Sequence, residues 1–300
     1  MNAEPFARPA FLPPLTDLGP LRGAQVAMTG QRGVLGSLLA ERLSAGGAQL
    51  ACYAGDVNDA AAVASWCTTL RCSHFFHFAA LVPVDLVEAD PLQAYQTNVI
   101  GTFNVCRALA RSHRDCWYFQ CSTSHVYRAS EGAEPLAETA ATGPGTYYGV
   151  TKLAAERVVA ELLGKLAMRW CTGRVFSYSH ARQRPPYLVP SLRERILATP
   201  EGGRLTVQNP SSVRDIQDAS HVIEAILWLA RLGATGLVNI GSGQGWPVRE
   251  LALALARQAG RHIEVSGEDR DAPGALVADT TRLQRILQDQ GDGRGKGLAP

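Results

Sequence analysis

Tyr148 and Lys152 stand four residues apart in Tyr148-Gly149-Val150-Thr151-Lys152. On a helix that spacing puts the phenol and the ammonium on one face. A free tyrosine has a pKa of about 10, too high for efficient proton exchange at neutral pH. A neighbouring cation favours the phenolate and lowers that value. Such a pair could protonate a ketone oxygen as hydride reaches the carbon, or take the proton from a hydroxyl as hydride leaves. Lys152 could also hold ribose hydroxyls. The same spacing arises by chance as a surface pair, so its meaning depends on what surrounds it. Tyr147 is adjacent, but only Tyr148 has a lysine at the helical interval.

The surroundings begin with Thr29-Gly30-Gln31-Arg32-Gly33-Val34-Leu35-Gly36, a G-x-x-G-x-x-G segment after an apolar run. A pyrophosphate needs backbone N–H groups with no side chain in the way, and a helix N-terminus offers them with a favourable dipole. That reading places Gly30, Arg32, Gly33, Val34, Leu35 and Gly36 at a dinucleotide. The second strand ends Cys52-Tyr53-Ala54 without the acid that would bind an adenosine ribose, and Asp56 comes just afterwards. With no acid there to repel a 2′-phosphate, and with Arg32 as a cationic partner, the cofactor is expected to be NADP or NAD, leaning to NADP. Arg32 reads equally well as a solvated loop residue.

These residues need a frame. Runs at 24–28, 49–53, 74–78, 117–121 and 167–175 read as buried strands. Helical spacing marks 34–44, 60–69, 91–112 and 147–163. Strand and helix in alternation predict an α/β fold, a Rossmann-type doubly wound parallel sheet. Beyond about residue 175 the rhythm loosens. A helix at 221–232 and a strand at 237–240 read as returns to the sheet, with further helices at 247–259 and 281–288. The expected organisation is a Pro-rich extended arm over 1–22 and a Rossmann domain over 23–175 with returns near 215–240. A smaller, discontinuous α/β substrate lobe over 176–290 and a flexible Gly-rich tail over 291–300 complete it.

Bulk properties exclude several classes. A net charge of +2 with interspersed signs gives no nucleic-acid or membrane-surface footprint. The seven cysteines include no C-x-x-C pair, so no disulfide framework or metal site is expected. No apolar stretch reaches transmembrane length and no signal peptide is evident, which predicts a cytoplasmic protein.

In order along the chain stand the glycine segment, Asp56-Val57, His77-Phe78-Ala79-Ala80, Asn98-Val99-Ile100-Gly101-Thr102 and Ser122-Thr123-Ser124-His125-Val126-Tyr127. Tyr148/Lys152, Arg214-Asp215 and Asn239-Ile240-Gly241-Ser242-Gly243 follow. From about residue 24 to 285 this series resembles the extended short-chain dehydrogenase/reductases, in the nucleotide-sugar epimerase, dehydratase and 4-ketoreductase group. The resemblance implies that Thr123 hydrogen-bonds the reacting oxygen beside Tyr148 and Lys152. It implies that Asp56 and Val57 touch adenine, and that Ala79, Ala80, Leu81 and Asn98 line the cofactor cleft. Ser124, His125 and Ser177 would face the substrate, and Arg214 would grip a diphosphate. Taken alone, Thr123 could cap a turn, His125 could be a satisfied structural histidine, and Arg214 could pair with Asp215.

The chain departs from the family pattern around the substrate. Ser177-Tyr178-Ser179-His180-Ala181 replaces Asn-Val-Tyr-Gly-Pro, Arg128 stands where a glycine is usual, and Ser220-His221 replaces the usual acidic positions. Ser124-His125 stands where 4,6-dehydratases carry Asp-Glu, which argues against dehydration. The leading expectation is reduction of a 4-keto or 4-keto-6-deoxy sugar nucleotide, with hydride from the nicotinamide and the proton from Tyr148. An NAD-dependent C4 epimerase is the alternative among enzymes; a non-catalytic dinucleotide-binding sensor or subunit is the alternative of another class. The resemblance also implies a homodimer formed through the helices bearing 98–111 and 148–163.

Overall fold

The computed structural model describes residues 6–130, 132, 134–270 and 274–289. The expected flexible tail lies outside the described residues, as do the first five positions of the arm. The first half runs β1 (Gln25–Thr29), α1 (Val34–Ala45), β2 (Gln49–Cys52), α2 (Ala60–Thr69), β3 (His74–His77), α3 (Val84–Ala89) and α4 (Pro91–Tyr95). A π-helical segment, Gln96–Ile100, leads into α5 (Gly101–Ser112), then β4 (Trp117–Thr123), a 3-10 turn (Ser124–Val126), α6 (Tyr147–Lys165) and β5 (Trp170–Val175). The second half comprises β6 (Ser177–Ser179), α7 (Leu188–Ala198), β7 (Arg204–Thr206), β8 (Val213–Asp218), α8 (Ala219–Leu232) and β9 (Gly236–Ile240). It continues with β10 (Gly245–Pro247), α9 (Val248–Gln258), β11 (Glu264–Ser266), β12 (Ala275–Leu276) and α10 (Thr281–Gln288).

The central sheet has the order β2-β1-β3-β4-β5-β9, and each adjacent pair is parallel. Parallel strands covered on both faces need apolar side chains on both. Phe75, Phe76, Trp117, Tyr118 and Phe119 on β3 and β4 meet that demand, all fully buried. One face packs on α1, α8 and α10, the other on α2, α5 and α6. The connection leaving β1 runs to β2 on one side, and the connection leaving the neighbouring β3 runs to β4 on the other. The C-terminal ends of these two strands therefore open the crevice in which doubly wound sheets bind ligands.

A second set of short strands pairs β10 antiparallel and β12 parallel to β8, with β6 on the same strand. A separate core of α7, α9, β7, β8 and β11 residues lies beneath it; we call this part the outer lobe. Helix α7 is absent from the sequence reading, in a stretch that is Pro- and Arg-rich. Pro190 falls in the first turn of α7, where a missing N–H costs nothing. Strand β5 begins at Trp170 rather than Ala167, because Ala167 takes a left-handed conformation (φ 52°) in the turn after α6. The arm is not a free extension: Leu12, Leu15, Leu18 and Leu21 are buried in the core shared with α1 and α8.

Leu39 on α1 is fully buried in this core. Truncating it to alanine loses transfer energy and leaves a cavity, so Leu39→Ala is expected to lower the unfolding free energy by about 2–5 kcal/mol in urea titrations.

Candidate active site

The glycine segment forms the turn from β1 into α1. Gly30 has φ +79° and lies so close to β3's exit that a Cβ there would stand 2.4 Å from the Ala79 nitrogen. A Cβ on Gly36 would stand 2.1 Å from the Gly30 carbonyl oxygen, so the first turn of α1 rests on the loop itself. Gly33 caps α1 without a side-chain hydrogen bond, and the helical ladder opens with Ser37 N–H to the Gly33 carbonyl at 2.8 Å. The N–H groups of Val34, Leu35 and Gly36 precede it and remain available, as an anion at a helix N-terminus requires. The loop fits a dinucleotide pyrophosphate. Arg32 is exposed at its tip. Asp56 is exposed and accepts from Asn58 N–H at 2.9 Å, while Val57 is buried. Asn104 of α5 holds this turn through the Val57 carbonyl at 3.0 Å.

Asn98, in the π segment, is 1% exposed. Its Oδ1 accepts from Leu81 N–H at 2.7 Å, and its Nδ2 donates to the Leu81 carbonyl and to Thr151 Oγ1, each at 3.0 Å. Thr151 in turn donates to the Tyr148 carbonyl at 2.9 Å. Asn98 therefore ties the Ala79-Ala80-Leu81 segment to the helix carrying Tyr148 and Lys152. Beneath it, His77 bridges Thr29 of β1 at 2.7 Å and Thr102 of α5 at 3.1 Å. Burial, reinforced by the Lys152 charge, drives the His77 pKa down to about 3, so it is neutral and structural.

Helix α6 starts at Thr146, whose hydroxyl accepts from Gly149 N–H at 3.1 Å. Glu88 of α3 accepts from Tyr147 N–H at 2.9 Å. A Cβ on Gly149 would sit 2.3 Å from the His125 carbonyl oxygen. Only glycine lets α6 approach the 3-10 turn after β4, and that approach brings Tyr148 to Thr123. The Tyr148 phenol comes within interaction range of the Thr123 hydroxyl. Lys152, one turn along, is 4% exposed.

The Tyr148 pKa moves opposite to the sequence expectation. Burial, aided by the Cys121 thiol, pushes it well above the usual phenol value, and the Thr123 hydroxyl only partly offsets this. Burial also lowers the Lys152 pKa, against the Cys121 and Glu156 charges. Desolvation is the largest influence on both groups, so the phenol is held neutral, the form of a proton donor.

His125 lies edge-on to the Tyr148 ring, centroids 5.7 Å apart. Burial and the nearby Arg214 charge lower its pKa, which brings His125 and Arg214 to one region beside Tyr148. Ser124 is buried, and Ser177 is half-buried on β6 opposite Ile216 of β8. The alternative pairing of Arg214 with Asp215 gives way to another arrangement. Asp215 accepts from Ser242 N–H (2.9 Å), Ser242 Oγ (2.5 Å), Gly243 N–H (2.9 Å) and Ala278 N–H (3.2 Å). It fixes the Asn239–Gly243 turn, while Arg214 donates to the Val213 and Gly274 carbonyls.

Behind the site, Ser122 donates to Glu156 at 2.5 Å and Arg174 grips Glu156 at 2.8 Å, both charges nearly dry. The guanidinium also lies over the Tyr127 ring at 4.7 Å, and Tyr127 donates to Asn239 at 2.6 Å. Glu156 follows Lys152 by one helical turn, the spacing that could have revealed it. The sequence reading gives Cys121 no part in the site, and names Tyr178 only within the departing segment Ser177–Ala181. Both lie within electrostatic reach of Tyr148, and Cys121 shares a strand face with Thr123 by the two-residue period. Among the described residues, no three His, Cys, Asp or Glu side chains form a metal-binding group.

The buried His77 generates a pH prediction. Its folded pKa lies below the unfolded value of about 6.5, so the unfolded chain takes up a proton first as pH falls. Its stabilising contribution is full above pH 6.5 and is lost progressively down to about pH 3. Urea midpoints should fall across that window, and His77→Gln should flatten the slope. An unchanged slope would contradict the buried neutral assignment.

The family model described as GDP-mannose 4,6 dehydratase matches residues 31–290. GDP-6-deoxy-D-mannose reductase of Pseudomonas aeruginosa is 30% identical over 217 residues, covering 71% of this chain and 68% of the reductase. The structure of RMD from Pseudomonas aeruginosa complexed with NADPH superposes with a TM-score of 0.79 at 25% identity, covering 88% of this chain and 92% of that one. The UDP-glucose 4-epimerase of Thermus thermophilus, in complex with NAD, gives 0.76 at 25% identity, with 91% and 95% covered. The family match alone spans most of the chain, and the chain belongs to the GDP-mannose 4,6 dehydratase family, within the extended short-chain dehydrogenase/reductases.

Proposed function

We propose that the protein is an NAD(P)-dependent oxidoreductase of nucleotide-activated sugars that reduces a 4-keto or 4-keto-6-deoxy sugar nucleotide. The observation that carries this reading is the burial together of the Tyr148 phenol, the Thr123 hydroxyl within its reach and Lys152 one helical turn along. Gly30, Arg32, Gly33, Val34, Leu35 and Gly36 hold the dinucleotide with Asp56, Val57, Ala79, Ala80 and Leu81; Asn98 shapes the cleft. A nicotinamide bound there would supply the hydride that the ketone carbon takes up. Tyr148 gives its proton to the ketone oxygen, which becomes a hydroxyl. Thr123 orients that oxygen, and the Lys152 cation stabilises the phenolate left behind. Arg214 takes the diphosphate, with Ser124, His125 and Ser177 around the sugar.

Ser124-His125 supplies no Asp-Glu pair for water elimination, so dehydration is not assigned despite the family's description. NADP is favoured by Arg32 and by the absence of an acid at the end of β2, and the NADPH-bound relative supports it. The NAD-bound epimerase relative motivates a second reading, C4 epimerisation with retained NAD. Stoichiometry separates the two. With GDP-, dTDP- and UDP-linked 4-keto-6-deoxy sugars, one NADPH should be oxidised per sugar reduced, followed by its nicotinamide absorbance. Tyr148→Phe should lower kcat by at least about 100-fold with NADPH affinity retained. Sugar isomerisation without NADPH consumption would establish the epimerase instead.

Helices α3, α4 and α6 and the π segment expose Leu86, Leu92, Tyr95, Ile100, Tyr147 and Val150, each at least 44% accessible. These adjoining elements form an apolar patch of the kind that marks an interface. A homodimer through this face is part of the proposal, as is a cytoplasmic location, consistent with seven free thiols. Sedimentation at micromolar concentration should give a dimer, and Ile100→Asp a monomer; a monomeric parent would contradict the assignment.

A further inference from the structure

Residues 6–21 have no helix or strand before a final 3-10 turn, yet they are built into both halves of the molecule. Leu12, Leu15, Leu18 and Leu21 enter the core beneath α1 and α8. They recur every three residues, the last interval set by a helical Leu18, a left-handed Gly19 (φ 54°) and the 3-10 turn Gly19–Leu21. The backbone is satisfied by both helices. Trp228 Nε1 donates to the Pro13 carbonyl at 3.0 Å, Arg231 to the Asp17 carbonyl at 2.9 Å, and Arg42 of α1 to the Leu15 carbonyl. The fit at α1 is close: a Cβ on Gly46 would stand 2.1 Å from a Leu18 methyl.

The other end of the segment joins a different core. Arg8 pairs with Glu224 of α8. Phe6, 6% exposed, then enters the core of the outer lobe with Val189 and Leu251. Its ring meets Trp246 edge-on, centroids 6.2 Å apart at 87°. Trp246 is the register partner of Arg214 in the β10–β8 pair. Closer to β8, Asp215 and Gln217 tie the outer lobe to the turn after β9 and to the Ile240 carbonyl, while the half-exposed Arg182–Glu41 pair at 2.7 Å contributes little.

We infer that residues 6–21 are a strap that fixes the outer lobe on the dinucleotide-binding sheet, with Phe6 a positioning residue for the diphosphate-binding Arg214, acting through Trp246. The ligand half of this inference rests on the assignment of Arg214 made above. The strap itself rests on packing alone. Phe6 touches no reacting group; it sets where Arg214 stands relative to the glycine loop and Tyr148.

The test uses the full chain and the variants Phe6→Ala and Phe6→Leu, with three readouts. In Phe6→Ala, amide exchange across residues 245–258 should quicken by about tenfold while β1 and α2 keep their parental protection. Calorimetric affinity for whichever of GDP, UDP or dTDP the parent binds should fall about five- to tenfold, with NADPH affinity within about twofold of the parent. Phe6→Leu, which keeps apolar bulk, should recover most of the loss. Unchanged exchange at 245–258 would overturn the strap. Diphosphate and NADPH affinities falling together would overturn the positioning role. A parent that binds none of the three nucleotides would overturn Arg214's assignment and the ligand role of Phe6, leaving the exchange result to decide the strap.

Discussion

The site depends on one carboxamide. Asn98 satisfies both backbone groups of Leu81 and reaches Thr151, and through them it sets the distance between the Ala79–Leu81 segment and the helix carrying Tyr148 and Lys152. Buried amides are costly unless their hydrogen bonds are made, and here acceptor and donors are all engaged. The π segment puts Asn98 there. An extra residue in that turn rotates the helix, so that Asn98 faces the β3 exit and α6 while α5 continues beneath the sheet. Such bulges occur often at functional sites, and here the geometric reason is on view.

Around that joint the polar groups divide by task. His77, Asp215 and the Glu156–Arg174 pair are buried and saturated with partners; they hold loops, turns and α6 in place. Tyr148, Lys152 and Thr123 have less satisfaction and face the cleft. A buried ion pair such as Glu156–Arg174 is weak evidence for net stability, because desolvation offsets most of its attraction. Its geometric effect is clear, however. It joins β4, β5 and α6 directly behind Lys152, and Tyr127 and Asn239 extend the network to β9.

The parallel sheet was legible because its strands are continuous apolar runs between helical periods, as at 74–78 and 117–121. The glycine loop and the Tyr148–Lys152 spacing were legible because backbone approach and helical periodicity leave marks in residue type. The pKa direction of Tyr148 was not, since it follows from the extent of burial and no local pattern encodes burial depth. Asp215 likewise follows Arg214 in the chain, yet its four donors come from residues 242–243 and 278, far away in sequence. Helix α7 was hidden by prolines whose permissive position in the first turn only the structure displays. For the N-terminal arm proline density pointed to extension, but where such a segment docks depends on sockets formed by α1 and α8, which no local pattern in the arm encodes.

That arm places an unusual demand on the gene. Between Leu12 and Leu21 the chain is gripped through carbonyls and through every third side chain, with Asp17 and the left-handed Gly19 as further fixed points. A codon inserted or deleted there would shift the leucines away from their sockets and break the sequence of anchoring contacts. Besides its letters, the region specifies an interval, held by a ruler of leucines.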